Sequence, residues 1–176
     1  YTRQRGGLVL YPYLMMDAPY DRADLVNAHY AIDGLGDTVR TLTMRGYYTQ
    51  VDHWMTDELR VSSAGTPRAF SMATQASTTS LGGRIEAASS SGLVWGVETY
   101  RRNWNALNTM RLAGQYTDQP MIPDVVATSL GVYSEYRRTF ATRLTVSAGG
   151  RLDTGRSEAR SGILNPDLYW AYKGTR

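Results

Sequence analysis

The chain has no cysteine, only two Phe, and no long apolar run. The missing cysteine excludes disulfides and thiolate metal sites, although it leaves the compartment open. No segment approaches the roughly 18 consecutive apolar residues of a spanning helix, which excludes a helical membrane protein. Hydrophobic residues make up 42% of 176 positions, thin material for a soluble core. Blocks of like charge are also missing: the basic residues are nearly all Arg, scattered singly, and the formal charge is +3. A nucleic-acid partner is therefore not expected. There is no Ser/His/Asp arrangement, phosphate-binding loop or HExxH helix, so the chain reads as neither an enzyme nor the holder of a cofactor. It begins at Tyr1 without a signal peptide and stops at Arg176 in mid-pattern, and so reads as a piece of something longer.

What is present is alternation of period two, repeated many times. In "SLGGRIEAA", Leu81, Gly83, Ile85 and Ala87 share one face while Arg84 and Glu86 take the other. In "GLVWGVETYRR", Leu93, Trp95 and Val97 oppose Glu98, Tyr100 and Arg102. In "SLGVYSEYRR", Leu130, Val132 and Tyr136 oppose Tyr133, Glu135 and Arg137. In "LTVSAGGRLD", Leu144, Val146, Ala148 and Leu152 oppose Arg151 and Asp153. Upstream, Val26, Ala28, Tyr30 and Ile32 oppose Asn27 and His29, and residues 7–14 look like a further strand interrupted by Pro12. The count is about seven strands, several near the 9–11 residues that cross a bilayer at a tilt.

The connections sort by length. "DGLGD", "ASSSG" and "RTFAT" are short, whereas residues 56–73, 103–124 and everything after Gly155 read as long loops. Outer-membrane barrels place short turns at the periplasmic end and long loops outside. The expected fold is thus all-β, a segment of an antiparallel transmembrane β-barrel. Its apolar face meets lipid, and Arg84, Glu86, Glu98, Arg102, Glu135, Arg137, Arg151 and Asp153 line a wet lumen where opposite charges on neighbouring strands pair. A one-sided soluble sheet would want bulkier residues than Gly83, Ala87, Ala148 and Gly150 on its buried face. Among 13 Tyr and 4 Trp, Tyr48, Trp95, Tyr136 and Trp104 near strand ends suit an aromatic girdle.

Six segments taken in order, "MMDAPYDRADLVNAHYAI", "YYTQVDHWMTDELR", "TTSLGGRIEA", "PMIPDVVATSLGVYSEYRR", "LTVSAGGRLD" and "NPDLYWAYKGTR", resemble the barrel domain of TonB-dependent outer-membrane receptors. The resemblance covers nearly the whole chain, residues 1–176. It implies a place in the bacterial outer membrane, within a roughly 22-stranded barrel filled by an N-terminal plug domain that is not part of this chain. It also implies the lipid bilayer and the TonB energising complex as partners, and a metal ion or metal chelate as cargo. "VDHWM" looks most like the copper-receptor branch, where a His-x-Met pair on a barrel strand joins a cysteine and a methionine of the plug to hold copper. The matching positions are His53 and Met55.

The phase of the strand agrees with that assignment. Counting from Arg45 through Tyr47, Thr49 and Val51 puts His53 and Met55 in the lumen near the external mouth, with Leu42, Met44 and Tyr48 on lipid. An imidazole with a thioether is a half-site suited to Cu(I), since both are softer than oxygen ligands. His29, near a periplasmic turn, reads as a structural histidine. Met15, Met16, Met72, Met110 and Met121 fall in loops or their margins, as packing or as a surface that collects soft metal. An iron–siderophore receptor of the same family and a passive porin-like barrel remain as alternatives.

Overall fold

The computed structural model describes residues 1–36, 38–140 and 144–160. Seven strands form one antiparallel sheet in chain order: β1 (Thr2–Gly6), β2 (Asp17–Asp33), β3 (Thr41–Thr56), β4 (Met72–Ala88), β5 (Leu93–Leu112), β6 (Gln115–Phe140) and β7 (Leu144–Ala159). The helical content of the described residues is one 3-10 turn, Val61–Ser63. Because each strand pairs with its chain neighbour, the pairing sets which side chains stand abreast.

One row across six strands reads Tyr30, Met44, Ile85, Val97, Val132 and Leu152. The adjacent row, one residue away on each strand and therefore on the opposite face, reads His29, Arg45, Arg84, Glu98, Gly131 and Asp153. Both assignments of face agree with the alternation in the sequence. The apolar row stays uncovered: Ile85 is 51% exposed and Leu152 73%. Buried hydrophobic residues among those described are four alanines and Val126, so nothing here amounts to a core packed against the sheet. A broad apolar face of this kind needs a cover.

Several expectations need correction. Residues 7–14 are not a strand; the first strand is β1, and the segment meets the sheet through the bridge of Val9 with Ala18 and the Tyr11 amide that donates to Asp17. Pro12 has no N–H to give, and the chain turns there with the Leu14 amide donating to the Tyr11 carbonyl. Residues 103–124 are not a loop either. β5 and β6 run on as a hairpin closed between Leu112 and Gln115, with Ala113 at φ 48° and Gly114 at φ 85°. Two positive φ values in succession match the twist of a tight hairpin, and the sequence carries no Asn-Gly or Asp-Gly to announce it. Pro120 and Pro123, which argue against a strand, are absorbed where the pairing shifts near Ala106. The connection at 57–71 is long as expected, and that at 89–92 short. Of "RTFAT", Arg138–Phe140 belong to β6; residues 141–143, like 161–176, lie outside the described residues.

Glycines on the charged face let long side chains lie across the sheet. A Cβ at Gly96 would overlap the Tyr133 hydroxyl and come within 2.7 Å of the Ile85 carbonyl oxygen. Tyr133 uses that gap to reach over β5 and donate to Glu86 at 2.7 Å. At Gly131 the occupant is Arg151, which crosses β6 to reach Glu98 at 3.0 Å. Gly96→Ala should therefore cost about 1–3 kcal/mol by overpacking. Gly150→Ala, with nothing within 4 Å of the added carbon, should stay within about 0.5 kcal/mol of wild type. Denaturant unfolding of the refolded variants measures both, and equal stabilities would show that the gap at Gly96 is not used.

Candidate metal site on the inner face

The charged face is called inner here. β3 places Val51, His53 and Met55 on it and turns Gln50, Asp52 and Trp54 outward, as a strand of period two requires. Trp54 packs edge-on against Phe70 with centroids 6.1 Å apart. His53 and Met55 are consecutive inner positions, so their Cα atoms are about 7 Å apart. His53 stands between Asp21 on β2 and Ala76 on β4, with Ala106 beyond. Its Nδ1 faces the Asp21 carboxylate at 3.7 Å, an ion-pair distance. Met55 stands beside Thr74, and Thr74 beside Asn108.

Two buried carboxylates organise the loops over this end of the sheet. Asp17 accepts from the Arg60 Nε at 2.8 Å, from a second Arg60 nitrogen, and from the Tyr11 amide at 2.9 Å. Asp57 accepts from the Ser62 hydroxyl at 2.6 Å, the Ser71 amide at 2.8 Å, the Met72 amide at 3.0 Å and the Ser71 hydroxyl. Asp17 and Asp57 are almost fully buried. Pinning Asp17 fixes its neighbour Met16, whose sulfur lies 4.0 Å from the Thr74 hydroxyl, next to the row of Met55. One row further out, Met72 and Met110 are cross-strand partners on the same face. Met15 and Met121 are exposed.

The inner end of the sheet thus gathers one imidazole and four thioethers. Asp21 was not identified by sequence reasoning as part of it, and Met16 was named only among the loop methionines of a surface that packs or collects soft metal, without its place beside Met55. The phase of β2 reaches Asp21, but its place beside His53 needs the pairing of β2 with β3; Met16 depends on a loop held by the distant Arg60. No three of His, Asp and Glu converge as a metal cage among the described residues. His53 and the methionines offer soft N and S donors.

The charged residues expected in the lumen all lie on the inner face, but their pairing differs from expectation. Arg84 pairs with Glu86 and Arg151 with Asp153 at 2.8 Å, each within one strand, while the Arg151 to Glu98 pair skips a strand over Gly131. Arg102 stacks on Trp104 at 3.7 Å, which puts Trp104 on the inner face and removes it from the aromatic girdle. Glu135 and Arg137 make no ion pair among the described residues. His29 stands beside Arg45 toward the short-turn end.

No protein-family model matches the chain, and no curated protein matches it. Among solved structures, the chain is similar to "Copper transporter OprC", with TM-score 0.70 and 22% identity over 87% of this chain. The matched part is 26% of that chain. The likeness is one of fold: the seven-stranded open sheet is similar to part of an outer-membrane barrel.

Burial works against ionisation of Asp57, yet the hydrogen bonds from Ser62, Ser71 and Met72 prevail and hold its carboxyl below the ordinary value of 3.8. A depressed folded value means that the stabilisation is complete above the ordinary value and is lost as pH falls through the lower one. Amide exchange in residues 57–71, corrected for intrinsic rate, should accelerate only in that acid window. Asp57→Ala should loosen the loop at neutral pH by about 1–3 kcal/mol, since it leaves the Ser71 and Met72 amides unpaired. Protection unchanged in the variant would mean that another contact holds the loop.

Proposed function

We propose that this chain is part of the barrel wall of a TonB-dependent receptor in the bacterial outer membrane, taking up copper. Its partners would be the bilayer around it, a plug domain within the barrel, and the TonB complex that supplies energy. The observation that carries the reading is the coincidence of His53 and Met55 on one inner strand face, with Met16 brought alongside, in a wall similar in fold to part of a copper transporter. Donors for a soft ion on one strand face support a transport reading.

The chemistry follows from the donors. Copper(I) favours imidazole nitrogen and thioether sulfur over carboxylate oxygen. Asp21 at the Nδ1 side of His53 would fix the ring and leave Nε2 to the ion, the usual role of a carboxylate behind a ligating histidine. Met72 and Met110, further out, would hand the ion inward, and ligands from the plug would complete its shell. Displacement of the plug by TonB would remove those ligands and release the ion.

Anaerobic copper(I) titration of the whole protein, read by competition with a coloured chelator, tests the assignment. Asp21→Asn should weaken binding on the order of tenfold. His53→Ala and Met55→Ala should cost more, and Trp54→Phe nothing, since that ring faces outward. Binding should also weaken in acid, because only the neutral imidazole ligates. Equal affinity for wild type and His53→Ala overturns the copper reading and favours a chelate cargo instead.

The wall itself has a separate test. Ile85→Arg, in the middle of the outer apolar row, should destabilise the bilayer-inserted protein by about 2–4 kcal/mol, whereas Thr49→Arg on the inner face should be mild. Refolding titrations in lipid vesicles compare the two, and equal costs would mean that the outer row does not face lipid.

A further inference from the structure

On the outer face, arginines stand just past the loop-side margin of the apolar band. Arg5 on β1 and Arg22 on β2 are direct cross-strand partners. Like charges placed opposite one another repel, and neither has a carboxylate within ion-pair distance among the described residues. The nearby acids are engaged elsewhere. Asp24 takes Arg3 at 3.6 Å and the Tyr1 hydroxyl at 2.5 Å. Asp52, the partner of Arg22 on β3, accepts from the Gln50 amide at 3.4 Å. Arg22 lies over the Tyr20 ring at 4.5 Å, which holds the guanidinium along the surface. On β5, Arg101, with no ion pair among the described residues, adds a third guanidinium beside Leu81 at the band's margin. Arg156, across Thr128 from it, is held by Glu158 at 3.2 Å.

Height decides what such a pair would meet. Arg22 lies four residues beyond Val26, the last large apolar outer residue of β2 on that side. At about 3.3 Å per residue and a tilt near 45°, the climb is roughly 9 Å. The headgroup zone adds about 5–8 Å beyond the hydrocarbon, and an arginine stem covers the difference. Two guanidiniums side by side, with no carboxylate between them, match the oxygens of a phosphate.

We propose that Arg5 and Arg22 bind a phosphate of a lipid headgroup in the outer leaflet around the barrel, with Arg101 as a further contact at the same margin. The inference rests on the barrel reading above and concerns the face turned away from the lumen. The bound lipid would neutralise the like charges of this pair and would tie the β1–β2 side of this wall to the membrane surface.

The test uses the whole protein in phosphatidylcholine nanodiscs containing a minor fraction of lipid A, a phosphorylated glycolipid, with retained lipid counted by mass spectrometry after detergent extraction. Wild type should retain lipid A, and the Arg5→Gln/Arg22→Gln double variant should retain less by roughly fivefold per arginine removed. Arg45→Gln, which removes one positive charge from the inner face, should match wild type rather than lose the roughly fivefold expected for one outer arginine. Millimolar inorganic phosphate should not strip the lipid; if it does, the pair is a general anion site and the proposal fails. Equal retention by the double variant and wild type also overturns it, while leaving the barrel intact. Failure of the wild-type protein to enter nanodiscs at all would overturn the barrel reading and this inference together.

Discussion

Everything in this structure depends on the register of one sheet. Because side chains alternate with period two, a slip of a single residue between any two strands would carry an arginine or glutamate into the apolar row and an isoleucine or valine into the charged one. The two adjacent rows, from Tyr30 to Leu152 and from His29 to Asp153, leave no tolerance for such a slip. Hydrogen bonds between strands are the same in either register. The difference in free energy comes from what each face touches, so the sorting of faces selects the pairing and the pairing then places every functional side chain.

That dependence explains which features could be read from the sequence. Alternation in "SLGGRIEAA" or "SLGVYSEYRR" is local, and it assigned Arg84, Glu86, Glu135 and Arg137 to one face without knowledge of neighbours. The same counting put His53 and Met55 inward. What escaped was non-local or came from weak patterning. The outer half of the β5–β6 hairpin lies past the apolar band and so has no strong alternation to betray it, while two prolines argued against a strand. Trp104 was misplaced because its kind suggested an interface ring, whereas its even position beside Arg102 puts it inside.

The loops illustrate a second limit. "MMDAPY" and "DELRVSS" look like ordinary polar connections, and nothing in either predicts that Arg60 will reach back 43 positions to Asp17. Burying a carboxylate is costly unless its oxygens are satisfied, and both Asp17 and Asp57 are satisfied several times over. Each then works as a knot that its donors cannot leave cheaply. The arrangement substitutes for a hydrophobic core, which a single sheet with one wet face cannot supply. It also gives Met16, in an otherwise irregular segment, a definite position.

The two ends of the sheet therefore use different physics. Toward the short turns, small residues such as Gly96 and Gly131 let tyrosine and arginine lie flat, and the inner wall becomes a layer of ion pairs spread over several strands. Rigid pairing there leaves few free donors. Toward the loops, Asp21 is the carboxylate that stays on the inner face, behind His53; the other charges there are drawn into the Asp17 and Asp57 knots or face outward, and the rest of the inner surface is left to an imidazole, thioethers, alanines and Thr74. A soft ion competes poorly with water where carboxylates and their counter-ions are hydrated, and well where the donors are weakly solvated. Confining charge beside His53 to the one carboxylate behind its Nδ1 is thus as much a part of the site as the two side chains that the sequence pattern brings to one face.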